Sequence, residues 1–287
     1  MKDQTYQWPG GARLALSLVV NVEEGAEMNP SSGDNRAEPV DELGITVKAP
    51  ARNLANESNY QYGIVEGFGR IASVLDSFEV TATWTAAAKA LELAPNIAKY
   101  IRGRGDEAAS HGQRWIHQFR MDEHDERAFI RAAVKSIEAT VGKRPVGHLS
   151  RYLTTPNTRR ILAEEGFRYH MDDYSRDAPF WDESVEPPIV VLPYALDSND
   201  MKMWAQPSYT PSMWLQYATA TFDRLRSEGT LCPRMMSLGL HLRVIGRPGR
   251  IWALESFLEH VHRSTDVWIA QRRAIADHFA AATAPDG

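Results

Sequence analysis

Carboxylates and imidazoles recur in this chain at the ends of short apolar runs. Glu23 and Glu24 follow Arg13–Val22 (RLALSLVVNV), and His111 lies in Glu107–Trp115 (EAASHGQRW) beside Arg114 and Trp115. His148 ends RPVGH, Asp172 and Asp173 end FRYHMDD, Asn199 and Asp200 follow PIVVLP, and His241 and Arg243 come with MMSLGLHL. Carboxylates directly after a buried strand are unusual on packing grounds, and the C-terminal ends of parallel strands are where α/β barrels place their chemistry. Gathered on one rim, these groups suit hydrolysis. A Glu can take a proton from attacking water, a His can give one to a leaving nitrogen, and Arg or backbone N–H groups can hold a developing oxyanion. The bland readings stay open beside this one: capping or solvation for the carboxylates, core packing for the histidines.

The elements that must position these residues alternate. Strand-length apolar runs at 13–22, 79–86, 144–148, 167–173, 188–193 and 235–242, together with the run ending in EAASHG, are separated by stretches of helical period at 66–77, 87–102, 121–141, 212–228 and 251–263. The helix over 87–102 is interrupted at Pro95, and a helix through TTPNTRRILAEEGF is capped by Thr154 or Thr155. The charge run DEHDER reads as a solvated first helical turn. A strand-like DVWIA and a helix ending near Ala281 close the chain. Such alternation predicts a parallel-strand α/β barrel in one domain over 1–287, with a long loop or flap at about 26–58.

Composition narrows the function classes. A formal charge of -5 leaves no basic footprint for nucleic acid. The single cysteine, Cys232, excludes an internal disulfide and a thiolate zinc cluster, and it lacks a charged neighbour that would make it a nucleophile. MKDQTYQWPGG has charge and Pro-Gly where a signal peptide needs an apolar core, and no run reaches about 18 apolar residues. A cytoplasmic enzyme is therefore expected, with neither nucleic acid nor membrane as a partner. There is no GxxxxGK[ST] loop and no GxSxG elbow.

Six ordered motifs, NVEEG, SHGQRW, RPVGHLSRYLTTPNTRRIL, YHMDDYSRDAPFW, LPYALDSND and GLHLRVIGRPGR, resemble the polysaccharide deacetylase (NodB-homology) family. More narrowly, they resemble its branch of allantoinases and related cyclic imide hydrolases. The resemblance implies a distorted (β/α) barrel of about seven strands that hydrolyses the C–N bond of an amide, imide or ureide. It implies an acid/base set of Glu23, Glu24, His111 and His241. Glu23 stands at the family's base position, Glu24 and His111 at metal-ligand positions, and His241 matches the general acid. Which of the two glutamates activates water is left open.

The second metal histidine is replaced by Trp115, whose indole carries only a donor. Any divalent zinc site is thus incomplete at Glu24 and His111, with His117 as the one nearby substitute. The expected substrate-binding residues are Trp115, Arg114, His148, Arg243, Asp173 and Asn199. Arg243 and Arg247 could hold a substrate carbonyl or carboxylate, or form structural ion pairs. His148, Tyr152, Leu153 and Leu242 depart from the branch pattern, so the resemblance does not name the substrate. Two readings compete with a cyclic amidase: a carbohydrate N-deacetylase and an inactive ligand-binding barrel. The resemblance implies a homo-oligomer, with a tetramer as the expected form.

Overall fold

The computed structural model describes residues 6–42, 44–46, 51–205 and 207–285. The start of the N-terminal stretch and part of the expected 26–58 flap lie outside them. Among the described residues, no helix is long and apolar enough to cross a membrane.

In chain order the elements are β1 (Leu14–Val22), α1 (Leu54–Tyr62), a π turn (Gly63–Gly67), α2 (Phe68–Ser77), β2 (Thr83–Ala86), α3 (Ala88–Leu93), α4 (Pro95–Arg104), β3 (Glu107–Ser110), α5 (Glu123–Val141) and β4 (Gly147–His148). There follow α6 (Thr158–Glu164), β5 (Tyr169–His170), β6 (Phe180–Asp182), β7 (Ile189–Val191), a 3₁₀ turn (Asp200–Met203), α7 (Pro211–Glu228), β8 (Arg234–His241), α8 (Ile251–His262), β9 (Val267–Ile269) and α9 (Arg272–Ala282). The strands form one sheet in the order β6-β7-β5-β4-β3-β2-β1-β8. Along this path seven strands, β8-β1-β2-β3-β4-β5-β7, run parallel and make the expected distorted barrel, and β9 adds a further parallel pairing to the start of β1. β6 adds an antiparallel edge that the alternation did not predict. β1 is the axis: β8 lines one of its edges from Leu14 to Asn21, and β9 and β2 share the other.

All nine residues of β1 are buried, so both of its faces are covered, by an outer and an inner row of different character. Leu14, Leu16, Leu18, Val20 and Val22 face the helices with Ile71, Leu75 and Phe257. Each such side chain contributes about 2 kcal/mol by leaving water. Ala15 and Val19 face the barrel interior with Tyr169, Leu192 and Tyr194, and this row continues to Asn21 and Glu23. Period-two alternation therefore decides which strand-end residues can meet.

Several expected boundaries move for local reasons. β2 begins at Thr83 rather than near residue 79, because Glu79 sits in a left-handed turn at φ 52. The cap of α6 is Asn157 rather than Thr154 or Thr155. Thr155 Oγ1 instead accepts the Asn157 N–H and donates to the buried carboxylate of Glu126. The 26–58 loop gives way at Leu54 to a helix capped by Asn53, whose side chain accepts from Asn56 N.

No strand ladder joins β7 to β8 among the described residues, and a buried arginine spans the gap instead. Arg272 donates from Nη2 to the carbonyls of Leu192 (3.1 Å) and Pro193 (2.7 Å), and from both Nη atoms to Ser237 Oγ (2.8 and 2.7 Å). Burial pulls its pKa down to about 10. Arg272→Leu would take away the donors to the Leu192 and Pro193 carbonyls and to Ser237 Oγ, leaving only the Ser237 Oγ to Pro193 O bond (3.0 Å), and it is expected to cost about 3 kcal/mol of unfolding free energy in urea titration.

Candidate active site

β1 delivers Glu23, β3 His111, β8 His241 and the turn after it Arg243, all on the inner row. Each is 5 % exposed or less. Glu23 Oε1 lies 3.3 Å from His111 Nε2 and 3.4 Å from His241 Nε2, while Glu23 Oε2 stands 2.8 Å from Arg243 Nη2. That last pair is an ion pair without hydrogen-bond alignment, since neither atom has a hydrogen-bonded partner. The floor beneath is a polar lattice: Asn21 Nδ2 donates to Tyr194 Oη (3.0 Å) and Leu240 O (3.1 Å), and Asn21 Oδ1 accepts from Thr85 Oγ1 (2.6 Å). Gly239 passes this lattice because any Cβ there would strike Tyr194 Oη and Asn199 Nδ2.

His241 is gripped by a residue whose role the sequence did not show. Asp200 Oδ1 lies 2.7 Å from His241 Nδ1, and its Oδ2 accepts the N–H groups of His241 (2.7 Å) and Ile245 (3.1 Å). A carboxylate on Nδ1 leaves Nε2–H pointing at Glu23. Burial disfavours the imidazolium, but Glu23 and Asp200 outweigh it and hold the His241 pKa up at about 10. Burial likewise pushes Glu23 up, yet Arg243 and His241 reverse the sign and keep it well below the ordinary carboxylate range. Glu24 goes the other way, raised by burial against only partial relief from Arg243. The resting site is thus a Glu23 carboxylate against a His241 imidazolium, with Glu24 drawn toward its neutral form.

The two glutamates also differ in place. Glu24 Oε2 accepts the Glu23 N–H (3.0 Å), and its Oε1 lies 3.3 Å from Arg243 Nη1, tucked beneath Gly63 where a Cβ would collide with it. It braces the turn and Arg243, whereas Glu23 faces both imidazoles.

His111 Nδ1 lies 2.6 Å from the Leu149 carbonyl, which can only accept, so Nδ1 carries the hydrogen. Its Nε2 lone pair receives the indole N–H of Trp115 at 3.1 Å. That lone pair is the one a metal would need, and Glu24 is bound to Arg243. His117 does not supply a replacement: its Nδ1 meets the Arg151 carbonyl at 2.9 Å. Among the described residues, no three His, Cys, Asp or Glu side chains are grouped to hold an ion. These donors do not fit a catalytic zinc.

Other expected substrate ligands have different partners. Trp115 does stand beside the site, but Arg151 lies 3.6 Å over its ring, so that surface is covered by a guanidinium. Arg114 forks onto Asp34 (2.7 Å twice) and onto Glu27 O (2.6 Å), tying the loop after β1 in place. Asp173 accepts from Ser175 N and Oγ and pairs with Arg159. Asn199 caps the 3₁₀ turn through Met201 N (2.8 Å) and so presents Asp200. His148 falls on the outer row, in register with Ser110 and His170, packed against Phe167 with its pKa lowered by burial to about 4. Residue parity, which a strand only two residues long leaves invisible in sequence, removes it from the pocket. Arg243 keeps its place but is bound by Glu23, Glu24 and Glu42.

A cavity of about 520 Å³ opens beside Trp115, lined by Tyr60, Glu42, Arg151, Met203 and Trp204 among others. Tyr60 and Glu42 are residues that sequence reasoning missed. Both lie in or near the polar stretch 26–58, where no strand end marks them.

The His241 shift has a signed consequence. Its folded pKa of about 10 exceeds the ordinary 6.5, so its contribution to stability is complete below pH 6.5 and is lost as pH rises toward 10. Asp200→Asn should lower the His241 titration midpoint, seen by NMR, by a unit or more. It should also flatten the fall in unfolding free energy between about pH 7 and 10.

The sequence pattern of the polysaccharide deacetylase family matches residues 58–170. Over 301 aligned positions the chain is 32 % identical to a Schizosaccharomyces pombe protein named "Putative polysaccharide deacetylase", covering 96 % of this chain and 93 % of that protein. Among solved structures, PuuE allantoinase superposes with a TM-score of 0.92 at 38 % identity, over 98 % of this chain and 94 % of that one. A probable polysaccharide deacetylase from Pseudomonas aeruginosa PAO1 superposes with a TM-score of 0.90, also at 38 % identity, over 95 % and 92 %.

Proposed function

The chain belongs to the polysaccharide deacetylase family, and from that premise we propose that it opens a small cyclic amide, imide or ureide by hydrolysis of a ring C–N bond. Enclosure carries this reading. Glu23, His111, His241 and Arg243 are nearly sealed, and Glu42, from the segment after β1, reaches across onto Arg243. A sugar polymer would need an open groove along these residues; a flat ring needs only the adjoining cavity. The likeness to PuuE allantoinase supports the same choice.

In the proposed reaction water attacks the ring carbonyl carbon while Glu23 removes its proton. His241 donates its Nε2 proton to the ring nitrogen as the C–N bond breaks, leaving a carboxylic acid and a neutral N–H. The acid ionises to solvent, and the Glu23 proton returns to His241. Asp200 positions that imidazole and stabilises its charged form. A small-molecule substrate, self-association and a cytoplasmic setting belong to the same proposal.

The experiment is a panel of allantoin, hydantoin, succinimide, glutarimide and N-acetylglucosamine oligomers, with and without chelator. Turnover of at least one ring substrate is expected and should survive chelation. Glu23→Gln and His241→Ala should each lower kcat about 10²–10⁴-fold, and Glu24→Gln about tenfold or less. Turnover of the sugar oligomers alone would refute the ring-opening reading. Silence on every substrate would favour a ligand-binding barrel.

A further inference from the structure

Arg243 has an edge that the proposed mechanism does not use. Its Nε donates to Glu42 Oε1, while Glu42 Oε2 accepts from Asn59 Nδ2 at 2.6 Å. Asn59 is itself oriented, because Arg247 Nη2 donates to its Oδ1 at 2.6 Å and leaves the NH₂ facing Glu42. Arg247 is fixed in turn by the Tyr62 ring, 3.6 Å beneath its guanidinium, and by a 3.3 Å bond from Nε to Arg243 O. Tyr60 covers Arg243 at 4.3 Å. The receptor side of this arrangement thus belongs to α1 and to the turn after β8. The carboxylate it holds arrives from the segment after β1, 9 % exposed and on the wall of the 520 Å³ cavity.

We propose that Arg243, Asn59 and Arg247 form a carboxylate-binding subsite that Glu42 fills from within the chain and that a carboxylate ligand takes over by displacing it. A planar carboxylate is the group that matches one guanidinium N–H and one amide N–H side by side. Ring opening creates such a group next to Glu23, so the product is its natural occupant. That assignment of the product rests on the ring-opening reading; the subsite itself rests on the geometry alone. Competition from Glu42 keeps product affinity low and favours release.

The test titrates the full chain and its Glu42→Ala and Glu42→Gln variants with succinamate, the ring-opened form of succinimide, and with uncharged succinamide, by calorimetry. Succinamate is expected to bind both variants at least tenfold more tightly than the unsubstituted chain. Succinamide should bind all three alike, and adding Asn59→Ala to Glu42→Ala should remove most of the gain. Equal succinamate affinity in the three chains, or an equal gain for succinamide, would overturn the subsite. Succinimide turnover in the same preparations separates the two claims. A succinamate gain with no turnover of any ring substrate keeps the subsite and refutes the ring-opening reading, whereas turnover without the gain refutes the subsite alone.

Discussion

The guanidinium of Arg243, with no surface open to solvent, touches three carboxylates from two parts of the chain: the adjacent Glu23 and Glu24, and Glu42. An unpaired charge at that depth would cost several kcal/mol, so the cation and its anions hold one another in place. Arg243 is the largest of the influences that hold the buried Glu23 ionised, with His241 the next. The partition of charge among the carboxylates follows from what else each can reach. Glu23 also meets the His241 imidazolium, which keeps it ionised; Glu24 has no imidazolium beside it, and burial and the neighbouring Glu23 charge push it up. One cation thus separates two adjacent glutamates into a base and a brace.

The same electrostatics gives meaning to Trp115. A second imidazole at that position would add a lone pair beside His111 and invite a cation. An indole instead adds an N–H, which occupies the Nε2 lone pair of His111 and fixes its tautomer. The positive charge facing Glu23 then comes from Arg243 and His241, both held by protein carboxylates. Arg151, stacked on Trp115 and forked onto Glu38 at 2.8 Å, braces the indole from its other neighbours. Replacing a ligand by a donor is therefore a change of the whole site's charge, carried by a single position.

Much of this was legible in the sequence, and the limits have physical causes. The parallel barrel followed from alternating apolar runs and helical periods, because buried strands and amphipathic helices leave strong local signals. Glu23, His111, His241 and Arg243 stood out because each follows a strand that could not bury it cheaply. Asp200 lay in plain sight after Asn199, yet only the 3₁₀ turn shows that the asparagine is the cap and the aspartate the partner of His241. Arg114 and Asp173 carry the right chemistry for ligands and spend it on turns. Glu42 and Tyr60 gave no signal, since a contact across 201 residues of chain, such as Arg243 to Glu42, leaves no local pattern.

His148 and His111 show what decides between such neighbours. Their strands pair directly, β3 to β4, and both imidazoles are buried at the same end of the barrel. Ser110, though, is the residue in register with His148, so His111 lies one residue further along and on the opposite face. One sees Glu23 and Trp115; the other sees Phe167 and loses its charge to desolvation, with its Nδ1 unpaired. Composition and spacing assign these residues the same chemistry. A single step of strand register makes one of them part of the site and the other part of the wall, which is why β1 matters twice. Its outer row is wholly apolar and anchors the register of its neighbours, and that anchoring is what allows its inner row to end in Asn21 and Glu23.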